Sequence, residues 1–507
     1  MKRISSSFIV LLLVTGLETS VFAQHTPSKL RTLIVFFDGL RPDYITAEAM
    51  PNLYAFKKKG AYGMQHHSVF PTVTRVNASS YATGSYPATH GLMGNSVYFP
   101  EVDKTHSLNT GEAEDLNKVT EATKGNLLTA ISLGEILDKA GERMIVFSSG
   151  STGQALLQNH KVNNGAIINP SLILPESLKE KVIGLVGPVP TGKKTNGHAW
   201  VTDALIKIGL AADSPLINAI WFSDPDGTAH SDGIGAATSM ASIKTVDHQF
   251  GRIIDSLKSK GLSSSFNIIV STDHGFVTHV GKEGLSDFLI KQGLKKEAYS
   301  DDVVLAGGAI YVKDHDKIAI RKIVTALQKQ EWAGAIFTKS KKSGELKGWV
   351  DGTLSFESIH WNHPERSADI LVDMNWDNRK NNAGYEGTSF SKGVAGHGSS
   401  SPYEVKIPLI VSGPSFKASL ESDIPTSNVD IVPTILSLHQ LPIPKQMDGR
   451  VMKELFSNNS EKLGHPKHET IKTAVKFAWG TYNLFIDRTI YDGKEYVNFT
   501  KVDRVSK

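Results

Sequence analysis

The sequence predicts an α/β fold in which helices cover both faces of a mostly parallel central sheet, with a smaller α+β insertion. Short apolar runs alternate with segments of helical periodicity, which is the pattern of the β-α units that build such sheets. Several of these runs end directly in aspartate or histidine, as expected at the carboxyl edge of an open α/β sheet. The length of 507 residues fits one large domain with insertions, or two to three domains.

The first half of the chain supplies the alternating units. Thr32–Phe37 is an apolar run predicted as the first strand, and Met50–Lys58 is predicted to lie in the helix that follows. A hydroxyl-rich loop covers Pro71–Gly91, with a helix start expected around Asn77–Tyr81, and the polar residues 101–125 are expected on the surface. Further elements are predicted, in chain order, at Leu127–Ala140 (helix), Arg143–Phe147 (strand), Val201–Leu210 (helix), Asn218–Phe222 (strand), Met240–Leu257 (helix) and Phe266–Val270 (strand).

The alternation becomes irregular after about residue 280, where a smaller β-α-β unit is predicted. Residues 281–391 are therefore predicted as an insertion, or cap, that divides the main core into 24–280 and 392–455. The aromatic, strand-like tail predicts that 456–507 form a C-terminal extension packing on the core. The elements behind these assignments are Ile310–Val312, Lys317–Lys329, Ala335–Phe337, Ile407–Val411, Asp430–Leu438 and residues 471–499.

The N-terminal residues 1–23 have the pattern of a secretory signal peptide. A basic start, Lys2 and Arg3, precedes the apolar run Phe8–Val14, and a cleavage-site pattern ends at Ala23. The apolar run is too short to span a bilayer, so no stable membrane anchor is expected. We therefore expect removal of this segment and a periplasmic or secreted location.

Charge and cysteine content exclude several classes of function. The formal net charge of +4 is close to neutral for a chain of this length, which argues against binding duplex nucleic acid or an anionic membrane surface. The chain has no cysteine, so disulfides and thiolate zinc sites are excluded. Any metal ion must be bound by carboxylate, imidazole or hydroxyl groups.

Carboxylates and imidazoles occur where the predicted strands end. Asp226 and His230 are four residues apart, so one turn can direct both at a single point. His397 lies between two glycines, which permit close backbone approach. The complete set of candidate metal ligands is Asp38, Asp226, His230, Asp273, His274 and His397.

This ligand set predicts two divalent ions and a hydroxyl nucleophile. Nitrogen and oxygen ligands suit zinc, with manganese or another divalent ion as the alternative. Two ions about 4 Å apart clamp the attacking and leaving oxygens of an in-line phosphoryl displacement. A hydroxyl of the loop Pro71–Gly91, with Thr74 among several candidates, is expected to be the nucleophile, because metal coordination activates a threonine hydroxyl. The amide of Asn77 is expected to hold a non-bridging phosphate oxygen, together with the backbone N–H beside the nucleophile.

Together these residues resemble the alkaline phosphatase superfamily, and most closely its type I phosphodiesterase/nucleotide pyrophosphatase branch. The matching segments occur in the family's order between about residues 31 and 450. They read FFDGLRPDYI, FPTVTRVNASSYATGSYPATHGLMGNSVY, DPDGTAHSDGIG, STDHGF, GHG and TSNVDIVPTILSLHQLPIPKQMDGR.

The resemblance implies an alkaline-phosphatase-like fold and a hydrolase that cleaves phosphodiester or pyrophosphate bonds in small phosphate diesters or nucleotides. It implies a phospho-threonine intermediate on Thr74, which water hydrolyses, with Asn77 orienting the phosphoryl group. It also implies two zinc ions, with Thr74 between them, one held by Asp226, His230 and His397 and the other by Asp38, Asp273 and His274.

Arg75 departs from the family, whose diesterases commonly place an aromatic residue and then proline after the nucleophile. We expect Arg75 either to form a structural pair or to contact the anionic or leaving-group side of the substrate. Monoesterases of the superfamily that use threonine carry a Lys-x-Arg pair on a later strand, whereas Ser148–Gln154 has no cation, which favours diesters. The alternatives are a phosphonoacetate-hydrolase-like or phosphomonoesterase activity at the same site, and a non-catalytic binding protein.

Overall fold

The computed structural model describes residues 29–191 and 195–507. Its strands, in chain order, are β1 (Arg31–Phe37), β2 (Ala61–His67), β3 (Ser96–Val97), β4 (Leu108–Asn109), β5 (Met144–Ser148), β6 (Ala166–Asn169), β7 (Leu172–Leu174), β8 (Ile217–Phe222), β9 (Phe266–Ser271), β10 (Val277–His279), β11 (Val303–Ala306), β12 (Ala309–Val312), β13 (Ala333–Thr338), β14 (Leu354–Ser355), β15 (Ile370–Met374), β16 (Trp376–Lys380), β17 (Glu386–Ser389), β18 (Ala395–Gly396), β19 (Lys406–Ser412), β20 (Leu420–Ser422), β21 (Thr426–Ser427), β22 (Lys467–Phe477), β23 (Gly480–Tyr491) and β24 (Lys494–Ser506).

Helices alternate with these strands through most of the chain. A π-helical turn, Leu205–Gly209, continues the eighth of them. The α-helices are α1 (Pro51–Lys59), α2 (Thr74–Thr83), α3 (Pro87–His90), α4 (Ala113–Ala122), α5 (Leu133–Lys139), α6 (Thr152–Gln158), α7 (Lys179–Val186), α8 (Thr195–Ala204), α9 (Asp226–Asp232), α10 (Ala237–Ser259), α11 (Leu285–Lys291), α12 (Lys317–Gln328), α13 (Pro402–Val405) and α14 (Ile431–Leu438).

The central sheet has the strand order β20-β2-β19-β9-β1-β8-β5-β6-β7. The strands β9, β1, β8, β5 and β6 run parallel, while β19 pairs antiparallel with both β9 and β2. In the register, Val35 of β1 lies between Ile220 of β8 and Val270 of β9. Because these strands are apolar along their length, the parallel part of the sheet is buried on both faces.

Helices cover both faces of this sheet, which confirms the predicted fold class. Side chains alternate along β1, so Ile34 and Phe36 pack with α2, α5, α6 and α14 on one face. Leu33, Val35 and Phe37 pack with α1, α8 and α10 on the other. The carboxyl ends of the parallel strands are therefore held rigidly between two layers of helices.

The range predicted as an insertion contains a second sheet, with the order β11-β12-β15-β13-β14. The apolar face of α12 packs on it. The C-terminal strands β22, β23 and β24 form an antiparallel sheet, and Tyr482 of β23 belongs to the same hydrophobic cluster as Phe337 of the insertion. β24 also reaches the main core, where Asn498 Oδ1 lies 2.9 Å from His67 Nε2.

Two helix predictions are corrected by the structure. The predicted helix Leu127–Ala140 is wrong in its first part, because α5 begins only after Ser132. The Ser132 and Glu135 side chains each bind the other residue's backbone N–H, and this capping box fixes the helix start. The helix expected to start around Asn77 begins at Thr74, so the nucleophile candidate lies in the first turn of α2.

Two further predictions concern membranes and export. Within 29–191 and 195–507, no helix combines the length and apolar character needed to cross a membrane. The predicted signal peptide, 1–23, lies outside the described residues.

Candidate active site

The candidate ligands lie near the ends of strands, at the carboxyl edge of the central sheet. Asp38 directly follows β1, Asp273 and His274 follow β9, and Asp226 opens α9 shortly after β8. Because β1 lies between β8 and β9, these three strand ends are neighbours. His397 follows β18, which pairs with β10, the next strand after β9 along the chain.

Asp38, Asp273 and His274 form one group of side chains. A carboxylate or imidazole atom from each lies within 4.8 Å of those of the other two. His274 Nε2 is 3.0 Å from Asp273 Oδ2 and 3.6 Å from Asp38 Oδ1. The three side chains are buried, so they form a preorganised polar centre in a largely dry environment.

Asp226, His230 and His397 form a second group, in which one carboxylate or imidazole atom from each side chain lies within 4.8 Å of those of the other two. Asp226 and His230 are four residues apart on α9, so both project from the same side of the helix. Asp226 Oδ1 lies 3.2 Å from His230 Nε2 and 3.3 Å from His397 Nε2. The structure thus brings together all six residues that the sequence singled out as ligands, in two groups of three.

The two groups are in direct contact. The imidazole rings of His274 and His397 stack with their centroids 3.4 Å apart. The backbone N–H of Asp226 donates to the carbonyl oxygen of Asp38, at 2.9 Å. One compact centre therefore contains both sets of ligand atoms.

Backbone carbonyls orient the three histidines of the centre. The Nδ1 atoms of His230, His274 and His397 lie 3.0 Å from Ala395 O, 3.0 Å from Gly275 O and 2.8 Å from Thr72 O. A carbonyl oxygen only accepts, so each Nδ1 carries the hydrogen and each Nε2 presents its lone pair toward the carboxylates. This is the arrangement by which a protein fixes the tautomer of a metal-binding histidine.

The donor set fits two divalent cations. Three buried carboxylate oxygens of the centre have no hydrogen-bond partner in the described part of the chain, namely Asp38 Oδ1, Asp226 Oδ1 and Asp273 Oδ2. An unsatisfied buried polar atom costs about 1–3 kcal/mol, and more when it is charged. A cation bound by each group would satisfy these oxygens, and carboxylate oxygen with neutral imidazole nitrogen is a ligand set that zinc accepts.

The pKa shifts of the carboxyl groups at the centre also favour the binding of cations. Burial raises the pKa of the Asp38 carboxyl well above its usual range, and the charges of Asp273 and Asp226 raise it further. Burial acts on Asp226 in the same direction, but His230 and His397, when their Nε2 atoms are protonated, donate to its carboxylate and hold its pKa well below the usual range. A bound cation would favour the ionised form of all three carboxylates, because an opposite charge nearby lowers the pKa of a carboxyl group.

Thr74 lies beside the first ligand group, and the loop before it is anchored to the second. Its side chain is buried, and Thr74 Oγ1 is 3.2 Å from His274 Nε2. Two residues earlier, Thr72 O accepts from His397 Nδ1 and Thr72 Oγ1 donates to Ser399 O at 2.6 Å. The hydroxyl is therefore positioned at the junction of the two ligand groups, at the first turn of α2.

Asn77 has a different place from the one expected. Its Nδ2 donates to Val69 O at 3.0 Å and Val73 O at 3.2 Å. Its Oδ1 accepts from Val69 N–H at 2.8 Å and from Asn428 Nδ2 at 3.0 Å. The amide is thus fully engaged in holding the loop before Thr74, and no hydrogen remains for a phosphate oxygen.

Asn95 is a candidate that the sequence analysis missed. Its Oδ1 accepts from the backbone N–H of Arg75, at 3.0 Å, which places the side chain next to the nucleophile. Its Nδ2 donates no hydrogen bond to any described residue, so both of its hydrogens are free for a ligand. Sequence alone gave little signal, because an asparagine in a Gly-Asn-Ser turn is typical of many loops.

Arg75 extends from α2 toward the carboxyl end of the neighbouring strand β5. Its Nη2 donates to Ser151 Oγ at 3.3 Å. Ser151 is the N-cap of α6, three residues beyond the end of β5. The arginine predicted as substrate-binding therefore lies at the same edge of the sheet as the ligand groups, on the β5 side.

Comparison with protein-family models finds one that covers most of the described core. The model of the type I phosphodiesterase / nucleotide pyrophosphatase family matches residues 32–397. This range contains both ligand groups and Thr74.

Several curated proteins are similar over part of the chain. Ectonucleotide pyrophosphatase/phosphodiesterase family member 1 of Rattus norvegicus is 25% identical over 246 residues, which are 48% of this chain and 24% of the rat protein. Bis(5'-adenosyl)-triphosphatase enpp4 of Mus musculus is 28% identical over 272 residues, 52% of this chain and 50% of the mouse protein. The chain thus spans about half the length, or less, of these curated relatives.

Solved structures share the fold. Murine ectonucleotide pyrophosphatase/phosphodiesterase 5, as an inactive variant in complex with AMP, has a TM-score of 0.59 at 19% identity and covers 85% of this chain and 100% of its own. The human protein of the same name has a TM-score of 0.61 at 18% identity, with 84% and 100% coverage. At this identity the similarity establishes the architecture of the central sheet and its flanking helices.

Proposed function

The chain belongs to the type I phosphodiesterase/nucleotide pyrophosphatase family, and on this premise we propose that it hydrolyses phosphodiester or pyrophosphate bonds through Thr74. The observation that carries the proposal is the position of the Thr74 hydroxyl, 3.2 Å from His274 Nε2 at the junction of two carboxylate–imidazole groups. A buried hydroxyl in such a setting is suited to nucleophilic attack.

We assign one divalent ion to each ligand group, and zinc as the ion. When bound, the ions lower the pKa of the nucleophile and neutralise the charge of the phosphoryl oxygens. The residues that would hold them are Asp38, Asp273 and His274 in one group and Asp226, His230 and His397 in the other, with Thr74 between the groups.

In the proposed reaction, the proton of Thr74 Oγ1 passes to solvent, and Oγ1 forms a bond to phosphorus while the bond from phosphorus to the leaving oxygen breaks. The leaving group departs with that oxygen, and the phosphoryl group remains esterified to Thr74. Water then attacks the same phosphorus, the Oγ1–P bond breaks, and the threonine hydroxyl is restored. The covalent intermediate thus divides one difficult step into two easier ones.

Asn95 takes the role that the sequence suggested for Asn77. Its Nδ2 has two free hydrogens beside Thr74, and its Oδ1 is held by the N–H of Arg75. Such a fixed donor stabilises negative charge that develops on a non-bridging phosphate oxygen. Asn77 supports the site indirectly, by holding the loop from Val69 to Val73.

We propose nucleotides as the substrates. A relative is named as a bis(5'-adenosyl)-triphosphatase, and a solved structure of the same fold is a complex with AMP. We also propose a periplasmic or secreted location, on the basis of the signal-peptide pattern in residues 1–23. Fractionation of expressing cells tests the location, since recovery of the enzyme from the cytosol alone would contradict it.

The test of function is a comparison of kcat/KM for thymidine 5′-p-nitrophenyl phosphate, bis-p-nitrophenyl phosphate, p-nitrophenyl phosphate and phosphonoacetate, with zinc present. We expect the thymidine diester to be preferred and the Thr74→Ala variant to be inactive. Preference for p-nitrophenyl phosphate would instead indicate a monoesterase, and preference for phosphonoacetate a phosphonate hydrolase. No turnover of any of the four would overturn the proposal.

A further inference from the structure

Arg75 is a half-buried cation without an acidic partner. Among the described residues, no carboxylate oxygen lies within 4.0 Å of its guanidinium, and its one side-chain hydrogen bond is that from Nη2 to Ser151 Oγ. Its Nε is buried and has no hydrogen-bond partner. Most of the hydrogen-bonding capacity of this side chain is therefore unused.

Three arginines that are more deeply buried than Arg75 behave differently. Arg450 donates from both terminal nitrogens to Glu454, at 2.9 and 2.6 Å. Arg488 pairs with Glu469 and Glu495, and Arg366 donates to three backbone carbonyls. Buried guanidinium groups are normally satisfied in this way, so the state of Arg75 requires another explanation.

The surroundings of Arg75 hold the guanidinium in one place. A Cβ atom at Gly111 would lie 2.4 Å from Arg75 Nη2, so the glycine makes room for the side chain. Ser151 fixes the tip at the carboxyl end of β5, and Asn95 binds the backbone N–H of Arg75. A side chain that is already ordered in this way loses little further conformational entropy when it binds a ligand.

We propose that Arg75 binds a second anionic group of the substrate, separate from the phosphoryl group that Thr74 attacks. The inference rests on the proposed function and names its substrate class, since preferred substrates would carry this second anion as a phosphate or a carboxylate. A guanidinium presents paired N–H donors that match either group in bidentate geometry. Nucleoside polyphosphates, in which neighbouring phosphates are linked, have this chemistry.

The position of Arg75 fits such a role. It directly follows Thr74 in α2, so its backbone is fixed relative to the nucleophile. Its side chain reaches the end of β5, next to β8 in the sheet, while the ligand groups lie at the ends of β1, β8 and β9. An anion on the β5 side would therefore lie beside the reacting phosphoryl group and away from the metal ligands.

The test compares wild type with Arg75→Gln on three substrates: ATP, phosphonoacetate, and thymidine 5′-p-nitrophenyl phosphate, which has a single anionic phosphodiester. We expect the ratio of kcat/KM for the substrate with the second anion to kcat/KM for the thymidine diester to fall about 10- to 100-fold, the usual loss for a charge-assisted hydrogen bond. A fall for ATP identifies a phosphate as the second anion, and a fall for phosphonoacetate identifies a carboxylate. The loss should lie mainly in KM, and Arg75→Lys should recover part of it.

Arg321→Gln is the matched control, because Arg321 is exposed on α12 in the insertion. It should leave every ratio at the wild-type value, and circular dichroism with metal analysis should show that the Arg75 variants fold and bind metal. Unchanged ratios in an active Arg75→Gln enzyme would overturn this inference alone. A wild-type enzyme that cleaves none of the three substrates would overturn the proposed function and the inference with it.

Discussion

Thr74 Oγ1 lies 3.2 Å from His274 Nε2, although the two residues are 200 positions apart in the chain. The first turn of a helix presents one atom and the end of a buried strand presents the other. Neither side chain has to move for the hydroxyl to meet the ligand centre. The site is thus preorganised by the fold, which lowers the reorganisation needed for catalysis.

Replacing Thr74 by alanine should abolish turnover while leaving the fold and the metal content intact. The substitution removes the attacking oxygen but none of the six carboxylate and imidazole ligands, so kcat should fall about a thousandfold or more. Thr74→Ser, which keeps the hydroxyl, should retain part of the activity. Steady-state kinetics and metal analysis of the three proteins check this prediction, and full activity of the alanine variant would contradict the covalent mechanism.

Chelation with EDTA should inactivate the enzyme, and zinc should restore it. Asp38→Asn and His397→Ala should each lower the metal content, because each substitution alters one of the proposed metal ligands. The two residues belong to different ligand groups, so each variant tests one site. His248→Ala is the matched control, since that histidine is exposed on α10. Metal analysis after dialysis separates the cases, and a wild-type metal content in both ligand variants would show that the ions bind elsewhere.

Asn95→Ala should lower the catalytic rate, whereas Asn77→Ala should lower the stability of the fold. The first removes a free donor beside Thr74, so kcat should fall about 10²- to 10³-fold with little change in stability. The second leaves the backbone N–H of Val69 without a partner and removes one donor each from the carbonyl oxygens of Val69 and Val73, which should lower the free energy of unfolding by about 1–3 kcal/mol. Kinetics and urea unfolding of both variants provide the comparison, and a purely catalytic loss in Asn77→Ala would reverse the two roles.

The contribution of Asp373 to the free energy of unfolding should fall as pH rises from about 4 to about 7. Burial raises the pKa of its carboxyl to about 7, and its Oδ2 accepts hydrogen bonds from the backbone and hydroxyl of Ser400. The folded protein therefore keeps a proton that the unfolded chain has released above about pH 4. The stabilisation that this proton provides is fully present below about pH 4 and is lost as pH rises through the folded-state pKa. The total loss in the free energy of unfolding should be roughly 2–4 kcal/mol.

The Asp373→Asn variant isolates this effect, since an amide does not titrate. The free energy of unfolding of wild type minus that of the variant should decrease between pH 4.5 and pH 8 in urea titrations. Asp255→Asn, at an exposed position on α10, serves as the control substitution. A pH-independent difference between wild type and Asp373→Asn would show that Asp373 is already ionised in the folded protein.

The fold class and the ligand groups could be predicted because their signals are local. Every ligand except His230 follows a strand or begins a helix, and His230 lies on the helix that Asp226 begins. An apolar run ending in a carboxylate can be recognised without knowledge of tertiary contacts. The order of Asp38, Asp226, Asp273 and His397 along the chain added specificity that no single position has. Their convergence then followed from the rule that parallel strands end at a common edge.

Other features depend on contacts that the sequence does not encode locally. The phosphate-binding role predicted for Asn77 is one such case, because its amide turns toward Val69 and Val73. The start of α5 at Leu133 depends on the capping box of Ser132 and Glu135, which outweighs the apolar periodicity before it. Such outcomes are decided by competition among nearby hydrogen-bond partners.

The wide spacing of the ligands along the chain has a consequence for biosynthesis. One group closes only when the segment containing His274 is present, and the other only when His397 has been added. The strand β19, which locks β9 to β2, follows later still. A nascent chain therefore has no complete centre until the segment that contains His397 has left the ribosome, so shorter nascent chains lack part of the ligand set and should be inactive.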